Sequence, residues 1–143
     1  MNFLGRPWNP RRYWGRLPKM AFLAAELSNS GCAGSFILAK LGLLNAGPAT
    51  THPDAKKELQ ALGVETLDKA LVCNGNVATA GGCLSAVYLV GWVVEILFGT
   101  EKRKEALKEI LPAGQSDLYD RLIESSIRDG MKFSEGLLVN QAR

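Results

Sequence analysis

The run Ser30-Gly31-Cys32-Ala33-Gly34-Ser35 places one thiol among small neighbours, directly before a helix-like stretch. Small residues on both sides of a nucleophile suit a nucleophile elbow, where a sharp turn holds the central residue in strained backbone geometry. Cys32 would then stand at the start of the following helix, whose amide dipoles favour the thiolate. The backbone N–H of Ala33 would form one half of an oxyanion hole, with Gly31 and Gly34 supplying the room the turn needs. The same spacing also fits a small-residue turn around a buried, inert cysteine. His52 is the chain's one histidine and sits in Ala49-Thr50-Thr51-His52-Pro53. An imidazole beside a thiol can act as a base, a hydrogen-bond partner or a counter-charge. It can equally make a structural hydrogen bond at a strand-to-helix junction or a dimer interface.

Other chemistries find little support. Cysteines occur at 32, 73 and 83, so neither a C-x-x-C pair nor a second histidine exists to begin a zinc site. No metal and no cofactor is expected. Three cysteines also exclude a disulfide-built scaffold and favour a reducing, cytoplasmic setting. The 143 residues suit one domain; 47% are hydrophobic and 22% charged, which excludes a disordered chain. A net charge of +3 does not announce a nucleic-acid partner. The basic residues are uneven: Arg6, Arg11, Arg12, Arg16 and Lys19 occur with no acid before residue 20. Residues 1–19 therefore read as a basic, Pro- and aromatic-rich leader, and 20–143 as the domain. Organelle targeting by that leader is opposed by Pro7, Pro10 and Pro18, which interrupt an amphipathic helix.

The elements that must position these residues follow from composition and breaks. Met20–Leu27 reads as helix and Ser35–Leu44 as another, stopped by Asn45-Ala46-Gly47-Pro48. Ala49-Thr50-Thr51 suits a short strand. Asp54–Leu62 suits a helix behind Pro53, capped by Gly63. Thr66–Cys73 and Asn76–Ala80 flank Asn74-Gly75, a strong hairpin signal. After Ala80-Gly81-Gly82, Leu84–Phe98 reads as a buried helix rather than a membrane span, because Gly81-Gly82 and Glu95 oppose insertion. Glu101–Leu111 is a surface helix ended by Pro112, and Asp117–Ile127 a further helix. Helices alternating with short strands imply α/β architecture.

Three motifs in this order carry a family resemblance: Cys32 to Leu44, Ala49-Thr50-Thr51-His52-Pro53, and Asn74-Gly75-Asn76-Val77-Ala78-Thr79-Ala80-Gly81-Gly82-Cys83. From about Gly31 to Gln115 the chain resembles the ThiJ/PfpI superfamily of glutamine-amidotransferase-like folds. The resemblance implies a flavodoxin-like three-layer α/β sandwich, here N-terminally truncated, with Cys32 as the elbow nucleophile and His52 near it. Cys73 and Cys83 match no catalytic role and read as packing residues. Protease-like members often carry histidine directly after the cysteine, where this chain has Ala33. The family's early parallel strands, its acidic partner for the cysteine and its glycine pair have no counterpart before Cys32. Glu26 stands too close to the elbow to be that acid.

The resulting expectation is a cysteine-dependent enzyme of hydrolase or hydratase type, acting on a small reactive carbonyl or related electrophile. The alternatives are a redox-sensing or ligand-binding module and an inactive truncated paralogue. Homo-oligomerisation, or a second chain that completes the sheet, is expected because an incomplete sheet exposes its edge. Neither a nucleic acid nor a membrane is expected as a partner.

Overall fold

The computed structural model describes residues 2–3, 6–7, 34–45, 47–75 and 77–141, with 2–3, 6–7 and 133–141 as backbone only. Gly31, Cys32, Ala33 and the helix expected at Met20–Leu27 lie outside the described residues. Strands β1 (Asn2–Phe3) and β2 (Arg6–Pro7) pair antiparallel. Helix α1 (Gly34–Lys40) follows, then a 3-10 turn (Pro53–Ala55) running into α2 (Lys56–Ala61). Strands β3 (Leu71–Asn74) and β4 (Val77–Ala80) form an antiparallel hairpin. A second 3-10 turn (Cys83–Ser85) leads into α3 (Ala86–Phe98), followed by α4 (Thr100–Lys108) and α5 (Ser116–Gln141).

Helix α1 ends four residues before Leu44, where the sequence suggested it would stop. Gly42 adopts φ +72, a left-handed conformation that breaks the helix, yet Leu44 remains buried against the core. The helix behind Pro53 matches expectation, with Gly63 at φ +82 just past its end. The hairpin forms where Asn74-Gly75 indicated, but Asn74 is itself the last paired residue, opposite Val77. Its side-chain amide is used elsewhere, donating to the Pro48 carbonyl. The stretch expected as a strand from Thr66 is regular only from Leu71. Before that, Thr66 makes an isolated parallel bridge with Ala49, and the Lys69 carbonyl accepts from the Thr50 hydroxyl at 2.7 Å.

The strand alternation of the hairpin separates two cores. Leu71, Cys73 and Ala78 pack with Leu89, Trp92 and Val93 of α3, Leu107 of α4, and Ile123 and Ile127 of α5. Val77 packs on the other side with Leu38, Leu44, Ala49, Leu59 and Val64. Helices therefore cover both faces of a small β element, in keeping with the α/β expectation. Both two-stranded sheets are antiparallel, and Ala49↔Thr66 is the one parallel contact among the described residues. α5 reaches the hairpin through Gly130, where a Cβ would stand 3.0 Å from the Leu71 carbonyl oxygen.

The expectation of a surface helix at Glu101–Leu111 needs one correction. Arg103 in α4 is fully buried. Its Nε lies 2.9 Å from Glu95 Oε2 and its Nη2 3.1 Å from Asp120 Oδ1, so one guanidinium joins α3, α4 and α5. Burying a lone cation is costly, and two carboxylates offset that cost here. Gly91 keeps the helices close, since a Cβ there would meet Ile123 Cγ2 at 2.9 Å. Among the described residues, no helix is long and apolar enough to cross a membrane.

Replacing Ile123, fully buried between α3, α5 and the hairpin, by alanine is expected to lower unfolding stability by about 3 kcal/mol. Ile110→Ala, at a side chain 65% exposed, is expected to change it by less than about 0.5 kcal/mol. Urea unfolding of both variants checks the contrast.

Candidate functional site

Three segments far apart in sequence meet around the His52 loop. Ser35, the second residue of α1, donates its hydroxyl to Thr51 Oγ1 at 3.1 Å, and both residues are buried. The Thr50 amide donates to Thr79 Oγ1 of β4 at 2.9 Å, and the Thr50 hydroxyl donates to the Lys69 carbonyl. A buried hydroxyl without a partner is costly, so these pairings fix the loop against α1 on one side and the hairpin on the other. Gly81 follows β4 at the point of closest approach. A Cβ there would lie 2.5 Å from the Lys69 oxygen and 2.8 Å from Thr50 Oγ1. Only glycine fits at Gly81, by packing, whereas Gly82 is held to glycine by its φ of +125.

His52 is the N-cap of the 3-10 turn. Its Nδ1 accepts from the Asp54 amide at 3.3 Å and lies 3.5 Å from Asp54 Oδ2. The ring is 38% exposed. Its Cδ2 edge faces Gly82, where a Cβ would stand 3.9 Å away. The imidazole is thus open to solvent and borders the Gly81-Gly82-Cys83 turn.

Of the residues assigned to the site from sequence, Gly34 is buried at the start of α1 and His52 lies in the loop tied to α1 by Ser35–Thr51. Cys32, Ala33 and Gly31 fall outside the described residues. Cys73 is fully buried, as expected of a packing residue, and burial pushes its thiol up from the ordinary 9.0 to about 12. Cys83 departs from that expectation. It is exposed, because the 3-10 turn that it opens carries its side chain away from both cores. Among the described residues, no three His, Cys, Asp or Glu side chains are grouped to hold a metal ion. A surface cavity of about 240 Å³, lined by Lys104, Leu107, Lys108, Leu111 and Asp120 among others, contains none of the motif residues.

Sequence reasoning did not single out Ser35, Thr50 and Thr79 as the ties that organise the loop. The available signal was their chemistry: hydroxyls inside otherwise small or apolar motifs need buried partners.

The fold and the site define a mixed α/β protein in which a histidine loop is clasped between helix α1 and a glycine turn. Comparison with known proteins agrees. Residues 15–96 match the DJ-1/PfpI family, and the chain belongs to that family. It is 35% identical over 80 residues to Protein DJ-1alpha of Drosophila melanogaster, a match covering 56% of this chain. The chain spans 37% of that relative's length.

Three outcomes follow. Iodoacetamide at about pH 8 is expected to label Cys83 in the native chain and leave Cys73 unmodified, since only a thiolate reacts; peptide mass spectrometry reads the sites. The Cys73 thiol ionises in the unfolded chain from about pH 9 upward, while the folded thiol holds its proton to about 12. Below that window it contributes no pH dependence; within it, folding stability falls as pH rises. Gly81→Ala is expected to cost about 3 kcal/mol, because the Cβ meets the Lys69 backbone carbonyl and the tied Thr50 hydroxyl; a thermal melt checks this.

Proposed function

We propose that the chain carries a DJ-1/PfpI-type cysteine site in which Cys32 is the nucleophile and His52 its neighbour, acting on a small reactive carbonyl or related electrophile. The observation that carries this reading is the convergence of the three motif segments: α1 with its Ser35, the Thr50-Thr51-His52 loop, and the Gly81-Gly82 turn. Cys32 stands two positions before Gly34, the first residue of α1 among the described residues. That spacing supports a thiol delivered to the same end of α1 that Ser35 ties to Thr51. The Ala33 amide would hold the developing oxyanion, between the turn-forming Gly31 and Gly34. The flavodoxin-like three-layer sandwich belongs to this proposal as the wider frame of the family.

A non-enzymatic reading has its own support. Among the described residues, β3 and β4 pair only with each other. A strand from another chain, whether a second copy or a different protein, could extend such a hairpin. The module would then bind a ligand or sense oxidants through an accessible thiol.

Cys32→Ser decides between them, with methylglyoxal turnover as the readout. The enzymatic reading expects a loss of at least about 100-fold, as when a nucleophile is removed. Turnover equal to that of the unaltered chain contradicts it.

A further inference from the structure

We infer that neutral His52 is a fixed hydrogen-bond donor through Nε2–H, aimed at an acceptor oxygen of the ligand, and not the base of the site. The tautomer follows from the loop alone; only the nature of the ligand rests on the cysteine-site reading above. A neutral imidazole carries one N–H, and the nitrogen that accepts a hydrogen bond is not the one that holds the proton. Nδ1 accepts from the Asp54 amide, and a backbone N–H can only donate. That amide stands at the start of a 3-10 turn, where the chain offers it no helical partner. The proton therefore sits on Nε2. The Asp54 carboxylate does not reverse this assignment: Oδ2 is 3.5 Å from Nδ1, farther than the amide nitrogen, and its side chain is 91% exposed and well solvated.

The backbone around the ring is held on both sides. Ser35 holds Thr51, while Lys69 and Thr79 hold Thr50. The ring edge away from Nδ1 borders Gly82, whose φ of +125 and missing side chain leave space beside Cδ2. A donor fixed before the ligand arrives needs no reorganisation to bind an oxygen. The chemistry it recognises is a small compound presenting a carbonyl or carboxylate oxygen. A base in the same place would need a free lone pair at Nε2, which this tautomer lacks.

His52 is the chain's one histidine, so its ring nitrogens give a single set of signals in the intact, ¹⁵N-labelled chain. Long-range ¹H–¹⁵N correlation of the neutral ring is expected to show a protonated Nε2 and an unprotonated Nδ1. A protonated Nδ1 overturns the inference. With methylglyoxal as the probe, His52→Gln, which keeps a donor but no base, is expected to retain most of the turnover. His52→Ala is expected to lose about 100-fold. Equal loss in both variants contradicts the donor role. Should Cys32→Ser leave turnover intact, the nucleophile reading falls while the tautomer result still stands or falls by the spectrum.

Discussion

Two adjacent hydroxyls, on Thr50 and Thr51, hold the candidate site together. Each is buried and each reaches a different part of the chain: Thr51 meets Ser35 at the start of α1, and Thr50 meets Lys69 beside the hairpin. The Thr50 amide is also taken, by Thr79. Removing a buried partner leaves an unsatisfied group that costs about 1–3 kcal/mol, so the loop cannot drift without breaking several such pairings. Gly81 belongs to the same constraint, because the Lys69 and Thr50 oxygens occupy the space that a side chain would need. The position of His52 is a consequence of these contacts rather than of any interaction made by its exposed ring edge.

The second core supports this arrangement from behind. Leu71, Cys73 and Ala78 anchor the hairpin on α3, α4 and α5, so Thr79 projects from a strand that is itself packed. Val77 faces the opposite way, toward Leu38 of α1 and Leu59 of α2. The hairpin thus couples α1, which carries Ser35, to the helix that follows Cys83. Arg103 ties the outer helices by charge: Glu95 and Asp120 flank its guanidinium.

Features set by neighbours in sequence were legible before any coordinates. Pro53 and Gly63 bracket a helix because each acts through its own backbone, and Asn74-Gly75 marks the hairpin for the same reason. The glycine turn and the helix up to Phe98 were legible for similar reasons, but the helix is buried on one face only, since Val90, Ile96 and Phe98 are exposed and Leu84 lies before its start. The family resemblance also stood in the sequence, because the motifs around Cys32, His52 and Gly81 keep their order. What could not be read was set by distant partners. Arg103 lies in a run of lysines and glutamates that looks solvated, and only Glu95 and Asp120 from other helices make its burial tolerable. Cys83 looks like Cys73 in sequence, yet one opens a turn at the surface and the other lies inside a strand. The extension of α5 to Gln141 passes through residues without apolar period, so its pattern gave no warning. The hydroxyl ties of Ser35, Thr50 and Thr79 span gaps of 16, 19 and 29 residues, which local pattern cannot report.

The Thr50 amide is the most direct witness of the clasp. Its hydrogen exchange in the native chain can be followed by NMR and compared with the amides of the hairpin. If Thr79 holds it as described, it exchanges as slowly as the core of β3, and Thr79→Val releases it to a much faster rate while Leu71 stays protected. Exchange at the rate of an open loop in the unaltered chain would show that the His52 segment is not fastened to the hairpin, and the site described here would not exist in solution.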